Sequence, residues 1–305
     1  MSVLWEQRVN DFTPVNIISK SDVTIIPYNF QKDPVEPKTC LTLPDNAEFT
    51  VDDNIDIVNR CGEEGVHAQL SIKSPLNIRC EEGAGVNVTG HEADIKITTL
   101  TGDCNLNKVK TGSVEITSDF GNINLNSLVS NAVLFTKGNI TARKVQGEKI
   151  TICNSQGNVN IESIYVPEAS IYGKHGNVTL GDVHGFCKIV TTGGNVKINS
   201  SQDDLDVKCN GGHINITLQD IRKGVVIQSY GGNVTLTMSA EVCSKAMLQV
   251  RGSGNPNISD EVKSKLNENM EATALVQLIT YDANIFVGMA KSWGEDLWDK
   301  MKKDE

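Results

Sequence analysis

Seven times between residues 121 and 236 the sequence sets a glycine, followed in all but one case by asparagine, ahead of an apolar–polar–apolar triplet. The phrase reads Gly121-Asn122-Ile123-Asn124-Leu125, Gly138-Asn139-Ile140-Thr141-Ala142, Gly157-Asn158-Val159-Asn160-Ile161 and Gly176-Asn177-Val178-Thr179-Leu180. It continues as Gly194-Asn195-Val196-Lys197-Ile198, Gly212-His213-Ile214-Asn215-Ile216 and Gly232-Asn233-Val234-Thr235-Leu236. Successive glycines stand 17, 19, 19, 18, 18 and 20 residues apart. A near-constant period of this length marks stacked units, each too small to bury an apolar face alone.

Each period carries a second short run about eight to ten residues on, rich in β-branched residues and bounded by turn formers. These runs are Val114–Ser118, Ala132–Thr136, Ile150–Cys153, Ala169–Tyr172, Cys187–Thr191, Leu205–Cys209 and Val225–Ser229. Two strands per coil, with coils one strand spacing apart (~4.8 Å), enclose a continuous core between two sheets. The fold class is therefore all-β, a single-stranded parallel β-solenoid of about 18–20 residues per coil.

Side-chain parity assigns the faces. The third and fifth residues of each phrase point inward, as in Ile123 and Leu125 or Val196 and Ile198, and the fourth points to water. That outward row reads Asn105, Asn124, Thr141, Asn160, Thr179, Lys197, Asn215 and Thr235, and it is the candidate binding face. Glycine supplies the corner conformation, and stacked corners align Asn122, Asn139, Asn158, Asn177, Asn195 and Asn233 in an amide column that His213 interrupts. His213 reads as a tolerated turn substitution.

An open solenoid must cover its ends. Residues 1–45 are assigned to an N-terminal cap, 46–254 to the solenoid and 255–305 to a C-terminal capping segment. Weaker strands are expected at Phe49–Val51, Ile55–Val58, Ala68–Ile72 and Leu76–Arg79. Helices are expected near 259–270, with Ser259 as N-cap, and near 292–303, where Ser292 and Glu295 form a capping box. Trp293, Leu297, Trp298 and Met301 make an apolar stripe on the second helix, either a lid on the solenoid or a docking element for a partner.

The net charge of −10 opposes nonspecific binding to nucleic acid. No apolar run is long enough for a transmembrane helix, and the N-terminus carries neither a secretory core nor an Arg-rich, acid-poor presequence. The expectation is an intracellular protein, cytoplasmic or mitochondrial and not secreted, whose eight cysteines are thiols. Cys104, Cys187 and Cys209 fall on inward-facing positions.

The repeating phrase, with Gly181-Asp-Val-His-Gly185 and the stretch from Cys187 to Ser201, resembles the adhesin-like β-solenoid domain family of unknown function, its eukaryotic branch in particular. The resemblance spans roughly residues 50 to 250. It implies the solenoid fold and carries no catalytic residues across.

Many β-helices cleave polysaccharides with carboxylates held on one external face. Asp182, Asp203 and Asp204, with His184 nearby, are the candidates for such a site. A calcium roll is excluded because the Gly-Gly pairs lead into Asn-Val-Lys, His-Ile-Asn and Asn-Val-Thr rather than a liganding Asp. Phosphate-loop, zincin and nucleophile-elbow motifs are also missing. The reading is a rigid, non-catalytic scaffold or protein-interaction module without cofactor or metal. Its partner is an unidentified protein or glycan, and the chain is a monomer or a weak self-associator. The polysaccharide-cleaving enzyme is the alternative.

Overall fold

A computed structural model describes residues 2–7, 12–27, 39–45, 47–51, 53–59, 65–253, 256–267 and 272–290. The chain divides into two compact units, Met1–Val166 and Pro167–Glu305. Each is a parallel β-solenoid.

In the first unit one face is built from Ile55–Asn59, Val15–Ser19, Leu76–Cys80 and Ile95–Thr99, paired in that order. It continues through the second halves of Val109–Ser118 and Ile123–Thr136 to Lys149–Asn154. The other face runs Val66–Leu70, Val23–Pro27, Val86–Thr89, Cys104–Asn107, then the starts of Ile123–Thr136, Ile140–Gln146 and Val159–Gly173. All these pairings are parallel, and burial alternates along each strand, as in Ile95–Thr99 and Leu76–Cys80. The inward residues Ile97, Ile116, Leu134 and Ile152 lie at 0% exposure, because each coil covers the one below it.

Two features depart from a simple two-strand coil. From Val109 onward a third short side appears, with Val109, Leu128, Val145 and Ile164 in register and all buried. The longer strands turn a corner without losing their pairing, so the coil has three apolar walls. The second departure is the order of the rungs. Val15–Ser19 lies between Ile55–Asn59 and Leu76–Cys80, and Val23–Pro27 lies between Val66–Leu70 and Val86–Thr89. The first coil in the chain is thus the second in the stack. Of the segment expected as an N-terminal cap, residues 15–27 form this intercalated rung. Thr39–Pro44 pairs antiparallel with the outer edge of Val66–Leu70, and Ser2–Gln7 pairs with Thr39–Pro44. Glu48–Val51 covers Ile55–Asn59 in the same antiparallel way.

The second unit repeats the device at its own outer rung. One face runs from the end of Val178–Thr191 through Leu205–Asn210 and Gly224–Tyr230 to Ala274–Tyr281, and only then to Ala246–Gly252. The other face runs Val178–Thr191, Val196–Ser201, Ile214–Leu218, Val234–Met238, Ile285–Met289 and Asn257–Ile258. The last described coil is inserted between two coils that precede it in the chain. The rung pushed outermost has a second-face strand of only two residues, Asn257–Ile258, so it forms few ladder bonds and is the poorest filling for an interior slot.

Two helices, Ala240–Lys245 and Asp260–Asn267, lie against this outer rung. Ser239 caps the first, its hydroxyl accepting the Val242 amide at 3.1 Å, and Val242 and Cys243 are buried beneath it. Ser259 stands at the start of the second, its hydroxyl 3.4 Å from the Val262 amide, and Val262 is buried. The expected helix near 292–303, with Trp293, Leu297, Trp298 and Met301, lies outside the described residues.

Candidate interaction face

The Gly-Asn corners form the columns the sequence implied, and the bonds within them are specific. Each corner side chain accepts the backbone N–H of the corner one coil further on. In the first unit Asp103 accepts from Asn122 at 2.8 Å, Asn122 from Asn139 at 2.9 Å, and Asn139 from Asn158 at 2.9 Å. In the second, Asn177 accepts from Asn195 and Asn195 from His213, both at 2.8 Å. His213 does not break the chain of bonds: its Nδ1 accepts the Asn233 amide at 3.1 Å, which fixes the tautomer with the proton on Nε2. Asn233 in turn accepts from Asn284 at 3.3 Å. The corner amides that no strand can pair are satisfied this way.

Beneath the corners runs a second column that sequence reasoning missed. The last inward residue of the strand before each corner is polar and buried: Thr99, Ser118, Thr136 and Asn154 in the first unit, Thr191, Cys209 and Ser229 in the second. All of these but Thr191, whose buried hydroxyl has no partner among the described residues, bond corner carbonyls or amides. Thr99 Oγ1 donates to Gly102 O at 3.0 Å, Thr136 Oγ1 to Gly121 O at 2.6 Å, Asn154 Nδ2 to Gly138 O at 2.6 Å and Ser229 Oγ to Gly232 O at 2.6 Å. The Gly121 amide donates to Ser118 Oγ at 2.9 Å. The signal was present: a Ser, Thr, Asn or Cys stands three residues before Gly102, Gly121, Gly157, Gly194, Gly212 and Gly232.

The outward row is where parity placed it. Asn105, Asn124, Thr141 and Asn160 occupy one register line in the first unit, and Thr179, Lys197, Asn215 and Thr235 occupy one in the second; none is buried. Asn105 Nδ2 donates to Asn87 Oδ1 at 2.9 Å and Asn124 Nδ2 to Asn105 Oδ1 at 2.8 Å; Asn126 and Asn107 repeat the bond at 2.8 Å two residues along. Asn105 both donates and accepts in this ladder, so one of its two N–H groups and one of its carbonyl lone pairs are used there.

Of the candidate carboxylates, Asp203 and Asp204 bond within the solenoid. Asp203 is 6% exposed, lies 3.1 Å from Arg222 Nε, and accepts the Asp204 amide at 2.9 Å. Asp204 Oδ1 accepts three successive amides one coil on, Arg222 at 3.2 Å, Lys223 at 2.7 Å and Gly224 at 2.8 Å. It holds a corner as Asn131 does in the first unit, where that side chain accepts Glu148 and Lys149 amides at 3.1 and 3.0 Å. Asp182 is exposed on Val178–Thr191 in register with Ser200, and His184 is half-buried two residues further on.

The cysteine reading follows the same parity. Cys104, Cys187 and Cys209 are buried, and the seven described cysteines are free thiols. Burial pushes Cys80, Cys104 and Cys187 up to about 12, so these thiols stay protonated and unreactive at neutral pH. Among the described residues no group of three His, Cys, Asp or Glu side chains is placed to hold a metal, and no helix is long and apolar enough to cross a membrane.

A stacked solenoid with laddered asparagine corners and buried hydroxyls beneath them is the class of protein this geometry defines. Residues 131–285, more than half of the 305-residue chain, match the family described as Toastrack DUF4097, and the chain belongs to that family. No curated protein matches it. Two solved structures are similar over most of their length. An adhesin-like protein of Parabacteroides merdae has 11% identity and a TM-score of 0.39, covering 95% of this chain and 96% of that one. An adhesin-like protein of Bacteroides fragilis has 8% identity and a TM-score of 0.33, covering 95% and 97%.

Proposed function

We propose that this Toastrack chain is a rigid, non-catalytic scaffold that binds an extended protein segment along its outward Asn/Thr rows. The observation that supports this most is the division of labour among polar groups. Corner side chains accept backbone amides of the next coil and most sub-corner side chains bond corner backbone, whereas the laddered Asn105 keeps a second N–H and a second lone pair at a row that repeats at the strand spacing, about 4.8 Å. A regular row of polar side chains at that spacing suits a partner with its own regular polar backbone. Asn105, Asn124, Thr141 and Asn160 form the row in the first unit, and Thr179, Lys197, Asn215 and Thr235 in the second. The same reading places the protein inside the cell, in cytoplasm or mitochondrion, within the eukaryotic branch of the family, and without cofactor.

Thr141→Arg with Asn160→Arg, and separately Thr235→Arg, put bulk on the rows without removing a ladder bond of the described asparagines. Proximity labelling by the intact chain should lose the same set of neighbours with either change. Retention of the full wild-type set, with the fold intact, would remove the rows from consideration. Capture of glycans in place of proteins would replace the partner class.

A further inference from the structure

One corner of the second unit leaves two mutually reactive groups without partners. Leu205–Asn210 ends on Asn210, which is exposed, and Gly211 follows it with a φ of +99°. These two residues are the one Asn-Gly pair in the sequence. Among the described residues no hydrogen bond reaches the Asn210 side-chain amide, and none takes the Gly211 N–H. A Cβ placed on Gly211 would meet no atom within 4 Å. The next corner supplies the contrast. Gly231 has a φ of +92° and equally open space, but its N–H donates to Tyr281 O at 2.9 Å. Tyr230 takes there the place that Asn210 takes here, the two standing in register. Asn126 and Asn154, each followed by serine, are held: Asn126 Nδ2 donates to Asn107 Oδ1 at 2.8 Å and Asn154 Nδ2 to Gly138 O at 2.6 Å.

We propose that Asn210–Gly211 is a site of spontaneous deamidation in the folded protein, its reactivity set by the unbonded glycine amide. The Gly211 nitrogen gives its proton to hydroxide and attacks Cγ of Asn210. A bond forms between that nitrogen and Cγ, the Cγ–Nδ2 bond breaks, and Nδ2 leaves with a proton as ammonia. The product is a five-membered succinimide. Water then adds to one imide carbonyl and opens the ring to aspartate or isoaspartate, with no change of oxidation state. Attack needs the Asn–Gly link to rotate until nitrogen and Cγ approach. Glycine resists that rotation least, and at Gly211 no hydrogen bond has to be broken first. Either product puts a negative charge on an exposed strand end. Isoaspartate also adds one main-chain carbon just ahead of Gly212, where a methyl group would already overlap the Gly194 carbonyl. The His213 amide, bonded to Asn195 Oδ1 at 2.8 Å, follows directly. The modified corner therefore works against the column bond between those two coils.

The intact chain, kept folded in mildly alkaline buffer, should gain about 1 Da in the peptide that contains Asn210 and release ammonia. It should also become a methyl acceptor for a protein isoaspartate methyltransferase. Digestion at acidic pH keeps conversion during workup out of the count. The rate at Asn210 should lie within about threefold of that in the same chain unfolded in guanidinium chloride, whereas Asn126 and Asn154 should convert at least about tenfold slower folded than unfolded. Tyr230→Asn builds a second Asn-Gly pair on the bonded Gly231 amide, and it should react about fivefold slower than Asn210. An Asn210 that survives in the folded chain while it converts in the unfolded one would overturn the proposal, as would equal rates at the two corners. If Tyr230→Asn fails to fold, the folded-to-unfolded ratio at Asn210 decides alone.

Discussion

The outer rungs of the two units solve one problem in different ways. Both units thread a terminal coil, 15–27 or 274–289, between two others, so that the coil nearest each end of the described chain is gripped on both faces. The rungs left outside differ. In the first unit, residues 55–70 carry antiparallel strands on both edges, and Ile55 and Ile57 are 1% exposed. In the second, the corresponding side chains Leu248 and Val250 are half-exposed under helices of six and eight residues. Antiparallel strands satisfy an edge and cover its apolar side together. The short helices leave Leu248 and Val250 partly exposed, and among the described residues no strand pairs with the outer edge of Ala246–Gly252.

Charge inserted into the columns should produce the largest effects and test that contrast directly. Ile17→Asp and Ile57→Asp are expected to be equally damaging, each by more than about 4 kcal/mol, because both positions are sealed. Leu278→Asp should match them, while Val250→Asp costs far less; urea midpoints give the comparison. Equal losses at 278 and 250 would show that the second outer rung is as closed as the first.

The next effects concern backbone crowding at one corner. A methyl group on Gly212 would overlap the Gly194 carbonyl, since the coils meet there backbone to backbone, and Gly212→Ala is expected to cost about 3 kcal/mol. Gly211, one residue earlier, has open space around it but a φ of +99°, so Gly211→Ala should cost only about 1 kcal/mol. Thermal unfolding of the pair separates a steric cause from a conformational one.

Acid should weaken the first unit through His91. Its Nε2 lies 2.8 Å from Ser74 O, and burial holds its pKa below the ordinary 6.5. The unfolded chain therefore takes up a proton that the folded chain refuses. The stability this group supports is full above pH 6.5 and falls as the pH drops below it toward the folded value. His91→Gln should flatten that part of the profile, with hydrogen exchange around residues 72–110 as the readout. The buried thiols act at the other extreme. Their raised pKa values leave stability intact below pH 9 and lost between pH 9 and about 12, in the first unit through Cys80 and Cys104 and in the second through Cys187.

The smallest effects lie in the corner columns. Asn122→Ala removes the acceptor for the Asn139 amide and should cost about 1 kcal/mol. His213→Asn restores the residue used at neighbouring corners and should leave stability unchanged or raise it by a few tenths of a kcal/mol at neutral pH. A denaturant midpoint lowered by His213→Asn would mean that the imidazole does more than accept the Asn233 amide.

Much of this was legible in the sequence because it is local. Alternation within Val196–Ser201 or Leu205–Asn210 fixes which residues face inward, and a turn glycine fixes where each strand begins. The outward register line of Asn105, Asn124, Thr141 and Asn160 follows from period and parity alone. The buried Thr99, Ser118 and Ser229 were equally periodic, but hydroxyls ending a strand read as turn formers until the carbonyls they serve are in view. The third wall through Val109, Leu128 and Val145 was hidden because it extends strands already counted. The bonding of Asp204 was hidden for a related reason: a carboxylate accepting three amides from the next coil has the same local sequence as a free one. The intercalation of residues 15–27 and 274–289 leaves no local trace. Any coil with two apolar residues per strand fits against any other, so the alternation within a strand does not encode which rung it neighbours.

That order can be read with three engineered cysteine pairs on one outward line of the second unit. Val226, Gln277 and Gln249 stand in register on three adjacent rungs, with Gln277 in the middle. Oxidation should join Val226→Cys to Gln277→Cys and Gln277→Cys to Gln249→Cys. It should leave Val226→Cys with Gln249→Cys unlinked, two spacings or about 9.6 Å apart. Ready formation of the 226–249 bridge, with none between 226 and 277, would mean that the coils stack in chain order and contradict the account.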